Sequence, residues 1–387
     1  MKKYFLLILA LYSRLGLSQS LPVLNCNDPL ENNNPNYSKA AELQKAMEQL
    51  VSHGIPGCAM AVYSQEGWWC SAAGLAKIED QTAMQTCHLQ YLQSISKTYL
   101  AVAVLKLMEQ GKINLEDPIT RYLPARVIHH IAQAEKISVR MVMNHTSGIP
   151  EYNQVPAYVS YLLQHPDHYF KPEDYLLYIS KKPLDFVPGS KYSYRNTNYL
   201  ILSLMVDNIT EDHAQFIRET IFKPLGLSQT FYRGSEGYLT YLNLTNTYWD
   251  RFSDGIIENV SVLQRNNVAS LAGDDGIVTT PAEAVKFLKG LMEGKLISAA
   301  TLSTMKEWVN DRKGDPTYGL GLDHATFVGH TGLGHSGGGI GAGCQLYYFP
   351  DQEVYIFVAI NLGTVTESPL HEVSTKTIDT IYNALLN

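Results

Sequence analysis

The hydrophobic pattern near the start of the chain predicts one helix followed by two strands. In residues 40–51 the apolar side chains of Leu43, Met47 and Leu50 recur at helical spacing. Two mostly apolar runs, GCAMAVYS and GWWCSAAG, come next and are separated by only two residues. Such a pair is typical of a β-hairpin.

The C-terminal part of the chain again predicts strands and then a helix. The runs GCQLYYFP and EVYIFVAINLG are separated by a short turn, and residues 370–386 carry a helical pattern. Between the two ends, residues 96–110 predict a helix that is apolar on nearly all sides, and short helical patterns broken by Pro and Gly fill residues 117–250. We therefore predict an α/β (α+β) fold, with an antiparallel sheet from both chain ends, flanking helices and an inserted, mostly helical region.

The first residues differ from the rest of the chain. Residues 1–20 begin with Lys2 and Lys3, continue with a short apolar run and end in small residues, which predicts a signal peptide. A membrane anchor is the alternative, but Arg14 interrupts the run well before the ~20 apolar residues that a span needs. The Asn- and Pro-rich residues 21–37 read as a linker. The prediction is an exported protein, periplasmic or extracellular.

Composition and cysteine content argue against several kinds of partner and cofactor. The 387 residues carry a formal net charge of −7, with no cluster of Lys and Arg, which argues against a nucleic-acid partner. Five cysteines leave at least one outside any internal disulfide. Cys58 and Cys70, on neighbouring predicted strands, are a possible pair, and Cys26 is either an acylation site or an ordinary cysteine. No zinc-ligand spacing occurs, so we expect no metal and no cofactor.

The first candidate for chemistry is the pattern Ser94-x-x-Lys97. One helical turn places the two side chains on one side, where the amine can take the proton of the serine hydroxyl. The same pattern recurs as Ser303-x-x-Lys306. Ser94 is favoured because it begins the buried helix, where free N–H groups can stabilise an oxyanion.

The second candidate is Tyr194-Arg195-Asn196, in which the tyrosine can relay a proton and the asparagine can hold a substrate amide. Tyr241-x-Asn243 has the same form, but the Pro-Gly turn before Tyr194 and the apolar helix after it favour the first.

The third candidate lies in GHTGLGHSGGGIGAG, where His330-Thr331-Gly332 and His335-Ser336-Gly337 are alternatives. A side chain there can orient a substrate carbonyl, and glycines allow close approach to the backbone. Residues 334–338 also match the Gly-x-Ser-x-Gly nucleophile elbow, but a glycine run and a strand follow in place of a helix.

Taken together, these motifs resemble the serine β-lactamase and penicillin-binding-protein superfamily, most closely class C β-lactamases, D-alanyl-D-alanine carboxypeptidases and related esterases. The resemblance spans about residues 40–385. It rests also on the stretches GKINLEDPITRYLP, ISVRMVMNHTSGIPEY, FVPGSKYSYRNTNYLIL, LAGDDGIVTTPAEAVKFL and GHSGGGIGAGCQLYYFPDQ. The last stretch favours His335 over His330. The distance from His335 to the following strand suits the family, whereas His330 would be out of register with that strand.

The resemblance implies a β-lactamase/transpeptidase-like fold and a set of roles. Ser94 would attack a carbonyl, Lys97 and Tyr194 would transfer protons, and the N–H groups of Ser94 and Gly338 would hold the oxyanion. The residues implied in substrate or oxyanion binding are Asn196, His335, Ser336, Gly337 and Gly338. The implied organisation is one serine hydrolase domain at 38–387, with a sheet subdomain at about 38–85 and 268–387 and a helical subdomain at about 86–267.

Three positions depart from the family pattern. His335 stands where most β-lactamases have lysine, Arg195 is bulkier than the usual serine or alanine, and Gln93 replaces a frequent glycine. Two further motifs, residues 145–148 (HTSG) and Asp274-Asp275, are interpreted as structural turns.

The predicted function is an acyl-enzyme hydrolase on Ser94, D-amino-acid peptidase- or esterase-like. A class C-like β-lactamase is the alternative among enzymes. A catalytically silent penicillin-binding or scaffold protein is the alternative that is not an enzyme. The expected partner is a small ester, a D-amino-acid peptide or a β-lactam, with no nucleic acid and no stable membrane span. Loops within residues 152–185 and 234–267 are expected to shape the pocket.

Overall fold

A nine-stranded antiparallel sheet assembled from both ends of the chain forms the centre of the molecule, in the order β3-β2-β1-β14-β13-β12-β11-β10-β9. The computed structural model describes residues 33–233 and 235–387. The strands of this sheet are β1 (Gly57–Ser64), β2 (Gly67–Lys77), β3 (Thr82–Ala83), β9 (Val309–Asn310), β10 (Pro316–Tyr318), β11 (Asp323–Phe327), β12 (His330–Gly338), β13 (Gly343–Phe349) and β14 (Val354–Ile360). Two smaller sheets are formed by β4 (Gln90–Tyr91), β8 (Ile277–Thr279) and β5 (Phe231–Tyr232), and by β6 (Tyr248–Trp249) and β7 (Glu258–Asn259). The predicted fold class is confirmed.

Helices from the two ends of the chain flank the sheet, and further helices form the inserted region. They are α1 (Ala40–Ser52), α2 (Ser96–Glu109), α3 (Ala125–Ile128), α4 (Val139–Met143), α5 (Pro156–Gln164), α6 (Pro172–Leu177), α7 (Asn196–Thr210), α8 (His213–Ile217), α9 (Lys223–Leu225), α10 (Ser261–Ser270), α11 (Pro281–Met292), α12 (Ala299–Met305) and α13 (Pro369–Leu386). The hairpin β1–β2, the buried helix α2 and the terminal helix α13 confirm the pattern read from the sequence.

Both faces of the sheet are buried, which explains why β14 is apolar at every position. Side chains alternate between the two faces of a strand. Ile356 and Val358 therefore pack into a core with α1 and α13, whereas Phe357 and Ala359 pack into the larger core with α2, α7 and α11. The larger core carries the helical region and fixes α2 against the sheet.

The cysteines only partly follow the prediction. Cys70 is paired with Ala61 across the β1–β2 ladder, three residues from Cys58, so the two cysteines point to opposite faces. Cys58 carries a free thiol, and the suggested Cys58–Cys70 disulfide is wrong. Cys87 is disulfide-bonded. Cys26 and the predicted signal peptide lie outside the described residues.

Across residues 33–233 and 235–387, no helix is both long and apolar enough to cross a membrane. The subdomain boundaries drawn from the sequence stay predictions.

Candidate active site

Ser94 lies in a short 3-10 turn that leads directly into α2, and Lys97 lies one turn further along. The Nζ atom of Lys97 is 2.9 Å from Ser94 Oγ, 2.7 Å from Asn196 Oδ1 and 2.7 Å from the backbone oxygen of Asp274. Lys97 is fully buried, whereas Ser94 is half-buried. The amine is therefore held by three oxygens, one of them on the candidate nucleophile.

Burial changes the proton affinity of this amine. It lowers the pKa of Lys97, because an ammonium ion is poorly solvated in the core, while the nearby carboxyl groups of Asp274, Asp275 and Glu151 oppose the shift. A lowered pKa increases the fraction of neutral amine near neutral pH, and only the neutral amine can accept a proton from serine.

The Tyr194 ring lies against the amine, with Lys97 Nζ 5.1 Å from the ring centroid. Burial raises the pKa of Tyr194 well above its usual value, and Ser94 is close enough to oppose the shift. Among the described residues, the hydroxyl nevertheless has no hydrogen bond of good geometry to a side chain or to the backbone. Because a phenol of raised pKa keeps its proton, Tyr194 is chemically suited to give a proton to a departing group.

The turn at His145 and the carboxyl group of Glu151 hold the Tyr194–Asn196 segment in place. His145 Nδ1 accepts a hydrogen bond from the backbone N–H of Arg195 at 3.2 Å. Glu151 accepts hydrogen bonds from the backbone N–H of Asn196, at the first turn of α7, and from the Thr197 hydroxyl. An acid at this end of a helix satisfies free N–H groups. The structural interpretation of HTSG agrees with these contacts.

His335 lies on β12 and faces the same side as Tyr194, with ring centroids 6.1 Å apart. Its Nδ1 is 2.6 Å from the backbone oxygen of Ser336 and its Nε2 is 3.0 Å from the Tyr318 hydroxyl. Burial lowers the pKa of His335, while Asp323, whose Oδ2 lies 3.8 Å from Nδ1, opposes the shift. In the neutral ring, Nδ1–H donates to the carbonyl and Nε2 accepts from the phenol.

The alternatives within the glycine-rich stretch are excluded by β12 itself. Ser336 is an exposed strand residue opposite Gln345, not the nucleophile of a strand-to-helix elbow. His330 lies at the other end of β12, where its Nδ1 is 2.5 Å from a carboxylate oxygen of Asp351. The preference for His335 over His330 agrees with this placement.

The end of β12 packs directly against the turn that carries Ser94. A Cβ atom on Gly337 would lie 2.4 Å from the backbone oxygen of Leu92, and one on Gly339 would lie 2.2 Å from Oε1 of Gln93. A larger residue at position 337 would therefore clash with backbone, whereas one at position 339 would require the end of the Gln93 side chain to move. Gly338, between them, is exposed and lines the same cavity as Ser94.

Gln93 has a left-handed backbone, with φ of +48°, which glycine adopts without strain. This explains why the position before the nucleophile favours glycine, and it makes Gln93 a strained departure. Its side chain is buried and its Nε2 has no hydrogen-bond partner among the described residues.

A cavity of about 340 Å³ opens beside Ser94. Its walls come from the two regions that were expected to shape it, residues 152–163 and residues 249–267, together with the end of β12. The lining side chains include Gln93, Ser94, Tyr158, Leu162, Leu163, Asn196, Trp249, Asp274, Asp275 and Ile340. Ser303, Lys306, Tyr241 and Asn243, which form the competing motifs, are not among them.

Arg195 points away from this cavity. Its guanidinium group lies 3.0 Å from Asp185 and 2.9 Å from the backbone oxygen of Tyr194. The bulk of Arg195 therefore does not occupy the cavity.

Sequence reasoning missed the acids at the cavity. Asp274 and Asp275 do form a turn that leads into β8, but both are buried and both line the cavity. Burial raises the pKa of Asp274, and that of Asp275 to about 7. Tyr152 donates a hydrogen bond to Asp274 Oδ2 at 2.7 Å. The occurrence of two adjacent acids within an apolar stretch of sequence was the signal that could have indicated their place at the cavity.

Within residues 33–233 and 235–387, one group of side chains has ligand atoms close enough to hold a metal ion, namely Asp207, Asp212 and His213. His213 is already bonded to Asp207 and to Tyr232, and Asp212 caps α8. None of the three lines the cavity at Ser94.

The chain matches a known family model, described as Beta-lactamase, over residues 42–372. The chain belongs to the β-lactamase family. Members of this family include serine hydrolases.

Individual relatives lie within the same family. A penicillin-binding protein of Bacillus subtilis is 24% identical over 351 residues, covering 85% of this chain and 73% of that protein. Among solved structures, a D-stereospecific amidohydrolase from Streptomyces is 25% identical, with a TM-score of 0.76, and covers 89% of this chain and 98% of that one. A D-amino acid amidase from Ochrobactrum anthropi, complexed with L-phenylalanine amide, is 21% identical, has a TM-score of 0.78 and covers 91% and 99%. The similarity to this amidase shows that the two proteins share a fold.

Proposed function

We propose that this protein is a serine hydrolase that works through an acyl-enzyme on Ser94, with an amidase-, peptidase- or esterase-like activity. The observation that carries the proposal is the contact of 2.9 Å between the buried Lys97 amine and Ser94 Oγ, at the wall of the cavity. A surface lysine beside a capping serine would be solvated and would have no such partners.

In the proposed reaction, neutral Lys97 takes the proton of Ser94 as Oγ attacks the substrate carbonyl. The N–H groups of Ser94 and Gly338 stabilise the resulting oxyanion. Tyr194 gives its proton to the leaving group as the carbonyl re-forms, and Lys97 restores the Tyr194 proton. Water then attacks the ester of Ser94 by the same transfers in reverse, which releases the acid and frees the serine.

A β-lactamase and an amidase or esterase differ in the substrate that the site must bind. A penicillin-type β-lactam carries a carboxylate, whereas His335, which stands where the family usually has a cationic lysine, is buried and has a lowered pKa. This observation favours an amide or ester substrate over a β-lactam. A silent scaffold is disfavoured because Gln93 and Arg195 leave the cavity beside Ser94 open.

The test is the exchange Ser94→Ala, with Ser303→Ala as its matched control. Ser303 belongs to the second Ser-x-x-Lys pattern and is exposed on α12. We expect Ser94→Ala to lose at least ~10³ of the turnover of a p-nitrophenyl ester and to prevent a mass gain after treatment with a fluorophosphonate. Ser303→Ala should keep both. Labelling and turnover that survive in Ser94→Ala would reject the nucleophile.

We further propose that the protein is exported. Lys2 and Lys3 followed by an apolar run favour a signal peptide, and a disulfide at Cys87 is typical of oxidising compartments. Cell fractionation beside a cytoplasmic marker tests this, and full-length protein that stays with the marker would contradict it.

A further inference from the structure

A second cavity, of about 350 Å³, opens between α11, the β1–β2 hairpin and α9. Its lining side chains include three lysines, Lys286, Lys289 and Lys295, and no described lining residue is an acid. None of its lining residues lines the cavity at Ser94. Because the whole chain has a formal net charge of −7, this concentration of positive charge is local. A concave site with charge of one sign attracts ligands of the opposite sign.

Two of the three lysines converge on the carboxyl group of Glu293. Lys295 Nζ lies 2.9 Å from Oε2 of Glu293, and Lys289 Nζ donates a hydrogen bond to Oε1. Lys286 lies three residues before Lys289 on α11, which places the two side chains next to each other on one face of the helix. An anionic group therefore already fits between two of the three ammonium groups.

Glu293 neutralises only part of this positive charge. Three ammonium groups against one carboxylate leave an excess of two positive charges, and no acid within residues 33–233 and 235–387 forms an ion pair with Lys286. A phosphate monoester carries a charge of about −1.5 to −2 at pH 7 and offers three acceptor oxygens. Its charge matches the excess, whereas a carboxylate ligand carries a single charge and would gain little over Glu293.

The contacts of Glu293 and Lys289 differ in how easily they can be given up. The Glu293 side chain is 36% exposed, so its carboxylate is hydrated when it leaves the lysines. Lys289 is 19% exposed, and its Nζ lies 4.6 Å from the centroid of the Tyr63 ring. A cation over an aromatic ring is attracted to the ring. A phosphate that displaced Glu293 would therefore find the lysine in place.

Another part of the wall is aromatic and apolar. Tyr63 and Trp68 are paired across the β1–β2 ladder, and their ring centroids are 4.9 Å apart. Leu225 of α9 packs against α11 at Gly290, where an added Cβ would lie 2.6 Å from Leu225 Cδ2. Aromatic and aliphatic side chains beside a group of cations suit a ligand that carries a ring next to its anion.

We propose that this cavity binds the phosphate monoester of a small ring compound, with the phosphate between the three lysines and the ring against Trp68. The volume of about 350 Å³ is that of a small-molecule site. Because the cavity shares no lining residue with the one at Ser94, this binding is a further property of the protein and does not depend on the proposed acyl-enzyme chemistry.

The first experiment measures the affinity of the wild-type protein for four compounds by isothermal titration calorimetry. They are phenyl phosphate, glucose 6-phosphate, inorganic phosphate and benzoate. We expect at least one of the two esters to bind at least ~10-fold more tightly than inorganic phosphate, which lacks the ring, and than benzoate, which lacks the second charge. The tighter ester tells whether the ring is aromatic or a sugar. If neither ester binds more tightly than inorganic phosphate and benzoate, the proposal is wrong.

The second experiment replaces Lys286, the lysine without an ion pair, with Gln. We expect the affinity for the tighter ester to fall by at least ~10-fold, because one charge-assisted contact to the phosphate is lost. Lys112→Gln, at an exposed position after α2, removes the same charge elsewhere and should keep the affinity. Urea denaturation shows that both variants are folded. An unchanged affinity in folded Lys286→Gln would overturn the proposal.

The third experiment should change the affinity in the opposite direction. Glu293→Gln removes the carboxylate that competes with the phosphate for Lys289 and Lys295. We expect the affinity for the tighter ester to rise by about 10-fold. Glu372→Gln is the matched control, because Glu372 on α13 is also an exposed acid paired with a lysine. A rise of equal size in both variants, or no rise in Glu293→Gln, would contradict a phosphate site at these lysines.

The variant Ser94→Ala separates this proposal from the proposed function. It should bind the tighter ester with the affinity of the wild type even though its ester turnover is lost. A loss of phosphate-ester binding in Ser94→Ala would place the ligand in the other cavity and overturn the proposal. Binding that is kept in a protein whose turnover does not depend on Ser94 would reject the proposed function alone.

Discussion

Lys97 Nζ donates a hydrogen bond to the backbone oxygen of Asp274 at 2.7 Å, which joins the start of α2 to the turn before β8. That turn is fixed by Gly273, whose φ is +84° and whose added Cβ would lie 2.3 Å from the backbone oxygen of Tyr199 on α7. Three segments that are far apart in sequence therefore set the position of one amine. The same turn places Asp274 and Asp275 at the cavity, so it positions both the amine and the two acids.

Replacing Lys97 with Met should remove the proton acceptor while keeping an unbranched side chain of similar length. We expect ester turnover to fall by at least ~10², the usual contribution of a general base. The matched control is Lys306→Met, because Lys306 follows α12 in the competing motif. Stopped-flow acylation with a p-nitrophenyl ester measures both variants. Equal losses in the two would show that the effect is not local to Ser94.

Replacing Gln93 with Gly should stabilise the protein. Gln93 has φ of +48° and a buried amide nitrogen that no described residue hydrogen-bonds, and glycine relieves both costs. Gln133→Gly is the control, because Gln133 has φ of +51° but an exposed side chain. We expect the free energy of unfolding to rise by about 1 kcal/mol for Gln93→Gly. It should change little for Gln133→Gly, where greater freedom of the unfolded chain offsets the gain.

Urea denaturation of the three proteins checks this prediction. A lower stability of Gln93→Gly than of the wild type would mean that the carboxamide contributes more by packing under Gly339 than its strain and lost hydrogen bonds cost.

The sequence predicted the sheet and the Ser94 motif because both depend on local pattern. β1, β2, β13 and β14 are mostly apolar runs, and Ser94 and Lys97 are one helical turn apart. Asp275 could not be placed in this way, since its distance from Lys97 depends on how α2, α7 and β8 pack. The conformation of Gln93 was equally hidden, because a positive φ leaves no signal in a residue other than Gly, Asn or Asp.

The stability of the protein should depend on pH through Asp275. Burial raises its pKa from the ordinary 3.8 to about 7, with Asp274 adding to the shift while the N–H of Gly276 and Lys97 oppose it. Between these two values the folded chain holds a proton that the unfolded chain has lost. The free energy of unfolding must therefore fall as the pH rises through this window.

Asp275→Asn removes this contribution, so its melting temperature should decline less than that of the wild type between about pH 4.5 and about pH 7.5. Asp167→Asn, at an exposed position on the loop after α5, serves as the control and should follow the wild type. Thermal scans in matched buffers measure the difference. Parallel declines in the wild type and Asp275→Asn would mean that the carboxyl group ionises normally in the fold.

Replacing Arg195 with Ser, the residue type usual at this position in the family, should leave catalysis nearly unchanged. The Arg195 guanidinium bonds to Asp185 and to the Tyr194 carbonyl and does not line the cavity. Because a partly exposed ion pair contributes little, we expect a loss of at most about 1 kcal/mol in stability and a change within about threefold in kcat/KM. Asp185→Asn breaks the same pair from the other side and should behave alike. An increase above about tenfold in Arg195→Ser alone would mean that the arginine narrows the entrance to Ser94 in solution, since removing its partner would not reproduce a steric effect.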